Sequence, residues 1–173
     1  RTHKSPAFAR RQLDAGAVGV SVAKLGEAEL MVDSGIADVF VANTVMGSDK
    51  ARRAVALAAR ARFAIGADHR RQLDELSAAA RDAERPLEVM LEVDTGARRG
   101  GVDPDDAADL ARYAHGLEGI EVRGVYTYEG YTYGAADVAA LVELHQAAQG
   151  RMAAVAGRVR EVLGRSPVVS MGL

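Results

Sequence analysis

The chain contains no cysteine and no tryptophan among its 173 residues. The missing thiols exclude a disulfide scaffold, a cysteine nucleophile and a thiolate zinc site. A large excess of charge of one sign is also missing, since the net charge is -2. That gives no basic footprint for nucleic acid. No apolar run is long enough to span a membrane and no signal peptide opens the chain, so a cytoplasmic location is the default expectation. Neither G-x-G-x-x-G nor G-x-x-x-x-G-K-[ST] occurs, which removes the usual phosphate-binding turns of open doubly wound sheets. Lysine is scarce as well: Lys4, Lys24 and Lys50 are the only ones.

Hydrophobic residues make up 49% of the chain and charged residues 27%, the balance of a globular domain with a real core. Short β-branched runs alternate with longer Ala/Leu/Arg-rich stretches. The runs predict strands at 18–23, 38–43, 63–67, 87–94, 120–128 and 168–170, and the stretches predict helices at 6–15, 27–34, 50–61, 70–83, 104–115 and 137–163. Such alternation indicates βαβ units and a parallel sheet. Gly16, Gly35, Gly116 and Gly164 follow helical stretches, where a left-handed cap favours glycine. Ser5-Pro6 and Asp103-Pro104 read as an N-cap followed by proline at the first helical position. A further strand ending at Arg1 would bring the total to about seven, one short of an eight-stranded barrel. The expected fold is therefore α/β, a TIM-like (β/α)8 barrel incomplete in this chain, with an open doubly wound sheet as the alternative. Arg1 opens in a motif without an initiator Met and Leu173 follows an apolar run, so the chain reads as an internal fragment with exposed sheet edges.

In a parallel barrel, function gathers at the carboxyl ends of the strands. Lys24, Asn43, Asp68, Asp94, Tyr128 and Ser170 fall there. Asn43 and Asp68 could equally cap the next helix, and Lys24 could pair with Glu27. Two segments are more specific. In the run from Glu88 to Val102, alternation sets Val89, Leu91 and Val93 on one face and Met90, Glu92 and Asp94 on the other. Carboxylates facing inward need partners, and Arg98 and Arg99 follow among glycines. Both an ion-pair network and an anion or cofactor-ring site satisfy that pattern. From Gly124 to Gly134 lie four of the five tyrosines, which suggests a flat ligand to stack against. His3, His69, His115 and His145 show no metal-ligand spacing, and His115 and His145, inside helical stretches, read as incidental. On residues alone the chain is an α/β barrel for an anionic, aromatic-stacking ligand.

Several of these runs resemble a known family. Thr2-His3-Lys4-Ser5-Pro6, with Ala9-Arg10-Arg11-Gln12-Leu13 after it, is similar to the opening of the D-threonine aldolase and D-serine dehydratase group. Gly26-Glu27-Ala28-Glu29 resembles that group's second helix start. Val93-Asp94-Thr95-Gly96, with Arg99 and Gly101, resembles the fifth strand of the alanine racemase barrel, and Gly124 to Gly130 its sixth.

The resemblance implies one cofactor-binding barrel domain over 1–173, without the family's β-rich C-terminal domain. It implies pyridoxal 5'-phosphate as cofactor, with a divalent metal held by that other domain, a small amino-acid substrate and a homodimer at full length. Carried over by position, Arg99 would contact the cofactor ring and Tyr128 would pack near it. Ser170 and Gly172 would begin the phosphate loop, with Asn43 and His3 also in the pocket. The family's Schiff-base lysine falls at Arg1, where a guanidinium is no usable nucleophile; either that lysine is lost or altered at this end of the chain, or Lys4 within the motif substitutes for it. The implied activity is a lyase on D-β-hydroxy amino acids like D-threonine aldolase. D-serine dehydratase or racemase chemistry is the alternative, and a non-catalytic pyridoxal-phosphate carrier is an alternative of another class.

Overall fold

The computed structural model describes residues 4–172. Helices and strands alternate through the chain: α1 (Pro6–Asp14), β1 (Val20–Val22), α2 (Leu25–Asp33), β2 (Asp38–Thr44), α3 (Ser48–Ala58), β3 (Arg62–Ala67), α4 (Arg70–Ala80) and β4 (Leu87–Glu92). Then come α5 (Ala107–His115), β5 (Ile120–Tyr128), a 3-10 turn (Gly130–Gly134), α6 (Val138–Leu163) and β6 (Val168–Gly172). The strands follow one another in the sheet in sequence order. Two compact units share the chain. Of the described residues, the first takes in those up to Ala67 together with Arg71–Val89 and Leu117–Glu121; the second takes in Asp68–Arg70, Met90–Gly116 and those from Val122 on. Among the described residues no helix is long and apolar enough to cross a membrane.

In the first unit, β1, β2 and β3 pair in parallel, with Val39 opposite Phe63 and Val41 opposite Ile65. All four side chains are buried, as are Leu73 and Leu76 on α4. Strands covered on both faces read as near-continuous apolar runs, which is why 63–67 shows no alternation. The same holds for β4, where Val89, Met90 and Leu91 are all buried. The passages out of α1 and α2 close alike. Gly16 and Gly35 take φ of 102° and 83°, and the following amides, Ala17 N and Ile36 N, return to Gln12 O and Met31 O at 3.0 Å each. That is the paired closure a left-handed glycine permits at a helix end.

Two expected caps differ. Gly116 stays right-handed at φ -82°, because the last turn of α5 closes tightly through its amide to Arg112 O and Tyr113 O. Asp103 caps a separate turn before α5, accepting Asp105 N at 2.9 Å, so the helix proper starts three residues after Pro104. An aspartate that bonds its own backbone two residues on stabilises a turn rather than a helix.

The second unit is built on β5, β6 and the packing of α5 against α6. Leu110, Ala111 and Ala114 on one helix and Met152, Val155 and Val159 on the other are buried. Asp137 caps α6 by accepting Ala140 N at 2.8 Å. Strand β6 pairs in parallel with β5, Tyr126 opposite Ser170 and Tyr128 opposite Gly172. It extends two residues past the expected end because that pairing continues through Met171. Gly124 lies opposite Val168, and a Cβ there would overlap the Val168 backbone. Replacing Gly124 with Ala must push β6 away from β5, an overpacking cost of about 1–3 kcal/mol. Thermal unfolding should show a midpoint lowered by several degrees. An unchanged midpoint would mean the two strands do not depend on this close approach.

Candidate functional site

In the second unit, the carboxyl end of β4 carries a charge out of water. Glu92 is 4% exposed, and burying a carboxylate costs several kcal/mol unless it is paired and hydrogen-bonded. The Tyr126 hydroxyl on β5 donates to Glu92 Oε2 at 2.7 Å. Arg99 Nη2 stands 3.8 Å from Glu92 Oε1. The same guanidinium lies 4.1 Å from the centroid of the Tyr128 ring, a cation–π distance. Tyr126 and Tyr128 are two apart on β5 and so share its face.

The loop between β4 and α5 is shaped to place Arg99. Asp94 accepts Gly96 N at 2.8 Å and Arg98 N at 3.1 Å, organising the turn through its carboxylate. Arg98 takes φ of 50°, a left-handed conformation unusual for a residue with a side chain. The loop then returns to its own strand. Val102 N donates to Glu92 O and Asp94 N to Val102 O, each at 2.9 Å. Gly101, at φ 97°, allows this: a Cβ would stand 2.7 Å from Asp94 N. Asp68 fixes the return by accepting Gly101 N at 3.0 Å. Asp94 and Asp68 thus hold backbone in this loop, and of the two expected arginines only Arg99 reaches the buried carboxylate.

The tyrosines do not stack as one cluster. Tyr126 is buried on Glu92, and Tyr128 lies under Arg99. Tyr131 packs near Gly96, and Tyr133 is exposed. Gly130 leaves room for the Tyr128 ring, which a Cβ at that position would strike. Ser170 and Gly172 lie within β6 opposite Tyr126 and Tyr128, and among the described residues nothing stands within 4 Å of where a Gly172 Cβ would be. A cationic donor over an aromatic face, with a hydroxyl and an open glycine on the neighbouring strand, fits a flat anionic group. Among the described residues no cluster of His, Asp and Glu is placed to hold a metal ion. Sequence reasoning missed His145. It lies on α6, and its Nδ1 is 2.9 Å from the Oε1 of the buried Glu129.

The remaining expected site residues belong to the first unit or lie outside the described residues, as Arg1 and His3 do. Asn43 does not cap α3; its Nδ2 donates to Ala23 O at 3.3 Å and its Oδ1 accepts Thr44 N, tying the ends of β1 and β2. Lys24 is exposed, and Lys50 sits on α3. Glu27 pairs with Lys4 at 2.9 Å and also accepts Ala23 N at 2.8 Å. Lys4 and Glu27 line a cavity of about 210 Å³. Burial pushes the Glu27 carboxyl up, but the hydrogen bonds from Lys4 and Ala23 and the charges of Lys4 and Lys24 outweigh it and hold the group below the ordinary glutamate value. A carboxyl depressed in the folded state adds stability above its unfolded value, and that stability is lost as pH falls through the folded value. Glu27→Gln should therefore be less stable than wild type at neutral pH, with the difference vanishing in acid and shrinking in a Lys4→Ala background. A difference independent of pH would remove the ion pair from the account.

The family described as alanine racemase, N-terminal domain, matches residues 1–172. D-threonine aldolase of Arthrobacter sp is 35% identical over 75% of this chain and 35% of its own length. D-threo-3-hydroxyaspartate dehydratase of Delftia sp. (strain HT23) is 31% identical over 99% of this chain and 46% of its own. The crystal structure of D-threonine aldolase from Filomicrobium marinum superposes with a TM-score of 0.92 at 34% identity, covering 98% of this chain and 46% of that one. The chain thus spans less than half the length of each of these relatives, and its fold is an incomplete α/β barrel of their kind. It belongs to the alanine racemase N-terminal-domain family, the fold-type III pyridoxal-phosphate barrels that include the D-threonine aldolases and D-threo-3-hydroxyaspartate dehydratases.

Proposed function

We propose that the chain supplies the pyridoxal-phosphate-binding barrel of a lyase acting on D-β-hydroxy amino acids, with the chemistry of a D-threonine aldolase. The observation that carries this reading is the Arg99 guanidinium held over Tyr128 and beside the buried Glu92. When bound, the cofactor supplies an electron sink for negative charge at the substrate Cα. The residues of the second unit do the holding. Arg99 offers fixed N–H donors to an oxygen on the cofactor ring. Tyr128 gives that ring an aromatic neighbour and limits water beside it. Ser170 and the open Gly172 are short enough for phosphate oxygens to approach. Glu92, itself fixed by the Tyr126 hydroxyl, restrains a guanidinium whose side chain is 53% exposed.

Covalent attachment is a separate matter. Arginine stands at position 1, where the resemblance expects lysine, and the Lys4 ammonium is engaged by Glu27. In the chain as it stands, retention of the cofactor is accordingly proposed to be non-covalent, through Arg99, Tyr128, Ser170 and Gly172.

Dehydration is the second reading, supported by similarity to the Delftia dehydratase along almost the whole chain. The full native protein should be incubated with D-threonine, and separately with D-threo-3-hydroxyaspartate, in the presence of pyridoxal phosphate and a divalent metal. Glycine formed together with an aldehyde is the expected result. Ammonia released with a keto acid and no glycine would replace the aldolase reading with the dehydratase one. No product from either substrate would sink both.

A further inference from the structure

The Glu129 side chain is buried, at 4% exposure, yet lies outside the Arg99 site. Three parts of the second unit meet on it. Its amide donates to Gly172 O at 2.9 Å, joining the ends of β5 and β6. Its carbonyl accepts Thr132 N at 2.9 Å and the Thr132 hydroxyl at 2.8 Å, closing the 3-10 turn. Its carboxylate meets His145 Nδ1 at 2.9 Å. An ionised carboxylate only accepts, so Nδ1 carries the hydrogen. Glu129 follows Tyr128 directly, and the next residue is Gly130, which makes room for the Tyr128 ring.

The first turns of α6 are less buried than the rest of the helix. Val138 is 75% exposed and Val142 46%, and Ala148 is the first fully buried residue along this helix. A half-buried histidine bonded to a buried carboxylate ties that stretch to the end of β5, and its partner sits between Tyr128 and Gly130.

We infer that His145 is a positioning residue for the cofactor site: by holding the Glu129 carboxylate, it fixes the junction that places Tyr128 and Gly172. The inference rests on the cofactor reading above. Losing the ring nitrogen would leave the carboxylate buried without its donor, and a buried charge that loses a partner is a source of local opening. Asparagine at 145 can put an amide N–H where Nδ1 stood, whereas alanine cannot.

The test uses the full native protein, its His145→Ala and His145→Asn variants, and Val159→Ala as a control in the α5–α6 packing. Hydrogen exchange at the Glu129 and Thr132 amides is read without cofactor, and affinity is read by absorbance titration with pyridoxal phosphate. His145→Ala should speed exchange at both amides and weaken cofactor binding by about tenfold, the loss of one charge-assisted hydrogen bond. His145→Asn should restore most of both. Val159→Ala should lower the unfolding midpoint while leaving both readouts near wild type. Unchanged exchange in His145→Ala, failure of asparagine to rescue, or equal effects from Val159→Ala would overturn the positioning role. So would faster exchange with unaltered affinity. If the wild type takes up no pyridoxal phosphate, the cofactor reading itself fails, and the exchange data alone decide whether His145 holds this junction.

Discussion

A carboxylate has been taken out of water at the end of β4, and the loop from Val93 to Val102 folds back beside it. Glu92 cannot stay buried and charged unless donors come to it. Tyr126 comes from the neighbouring strand and Arg99 from the loop that follows. Bringing Arg99 back requires the loop to fold onto its own strand, and that return is possible because Gly101 has no side chain where Asp94 N passes. Asp94 and Asp68 spend their carboxylates on backbone amides of the same loop. The cation that results lies against Tyr128, and its position follows from the demand made by Glu92.

That arrangement divides what the sequence reveals from what it conceals. The α/β class, the parallel order and all six described strands are legible, because each depends on a local apolar run bounded by turns. The segment from Val93 to Gly101 is legible too, since its aspartate, glycines and arginines act on one another within a few residues. Tyr126 with Glu92, Asp68 with Gly101 and Glu129 with His145 join residues 34, 33 and 16 positions apart, and no pattern in one element announces the other. His145 reads as an ordinary helical histidine for that reason. Glu27 shows the reverse error. A lysine three residues away looks like its natural partner and does act on it through charge, yet the direct contact comes from Lys4. The helix starting at Ala107 rather than Pro104 has a local cause: Asp103 found a turn amide before it found a helical one.

Family membership and activity rest on different supports. The match along 1–172 and the superposition on the Filomicrobium aldolase establish the barrel. Reaction choice within such a family is set by groups that act on the substrate, and the chain covers less than half of the relatives whose names carry an activity. In the reading proposed above, its own contribution is a platform: the Arg99 guanidinium, the Tyr128 ring and two short residues at the end of β6.

The claim that Arg99 over Tyr128 is a cofactor platform is tested most directly by titrating the full native protein and its Arg99→Gln variant with pyridoxal phosphate, followed by absorbance and by reversal on dialysis. Glutamine keeps a donor of similar reach but removes the charge. The account predicts saturable, reversible binding to the wild type and an affinity lower by tenfold or more in the variant, about the worth of a charge-assisted contact. Equal affinity in the two proteins, with unfolding midpoints also equal, would contradict it.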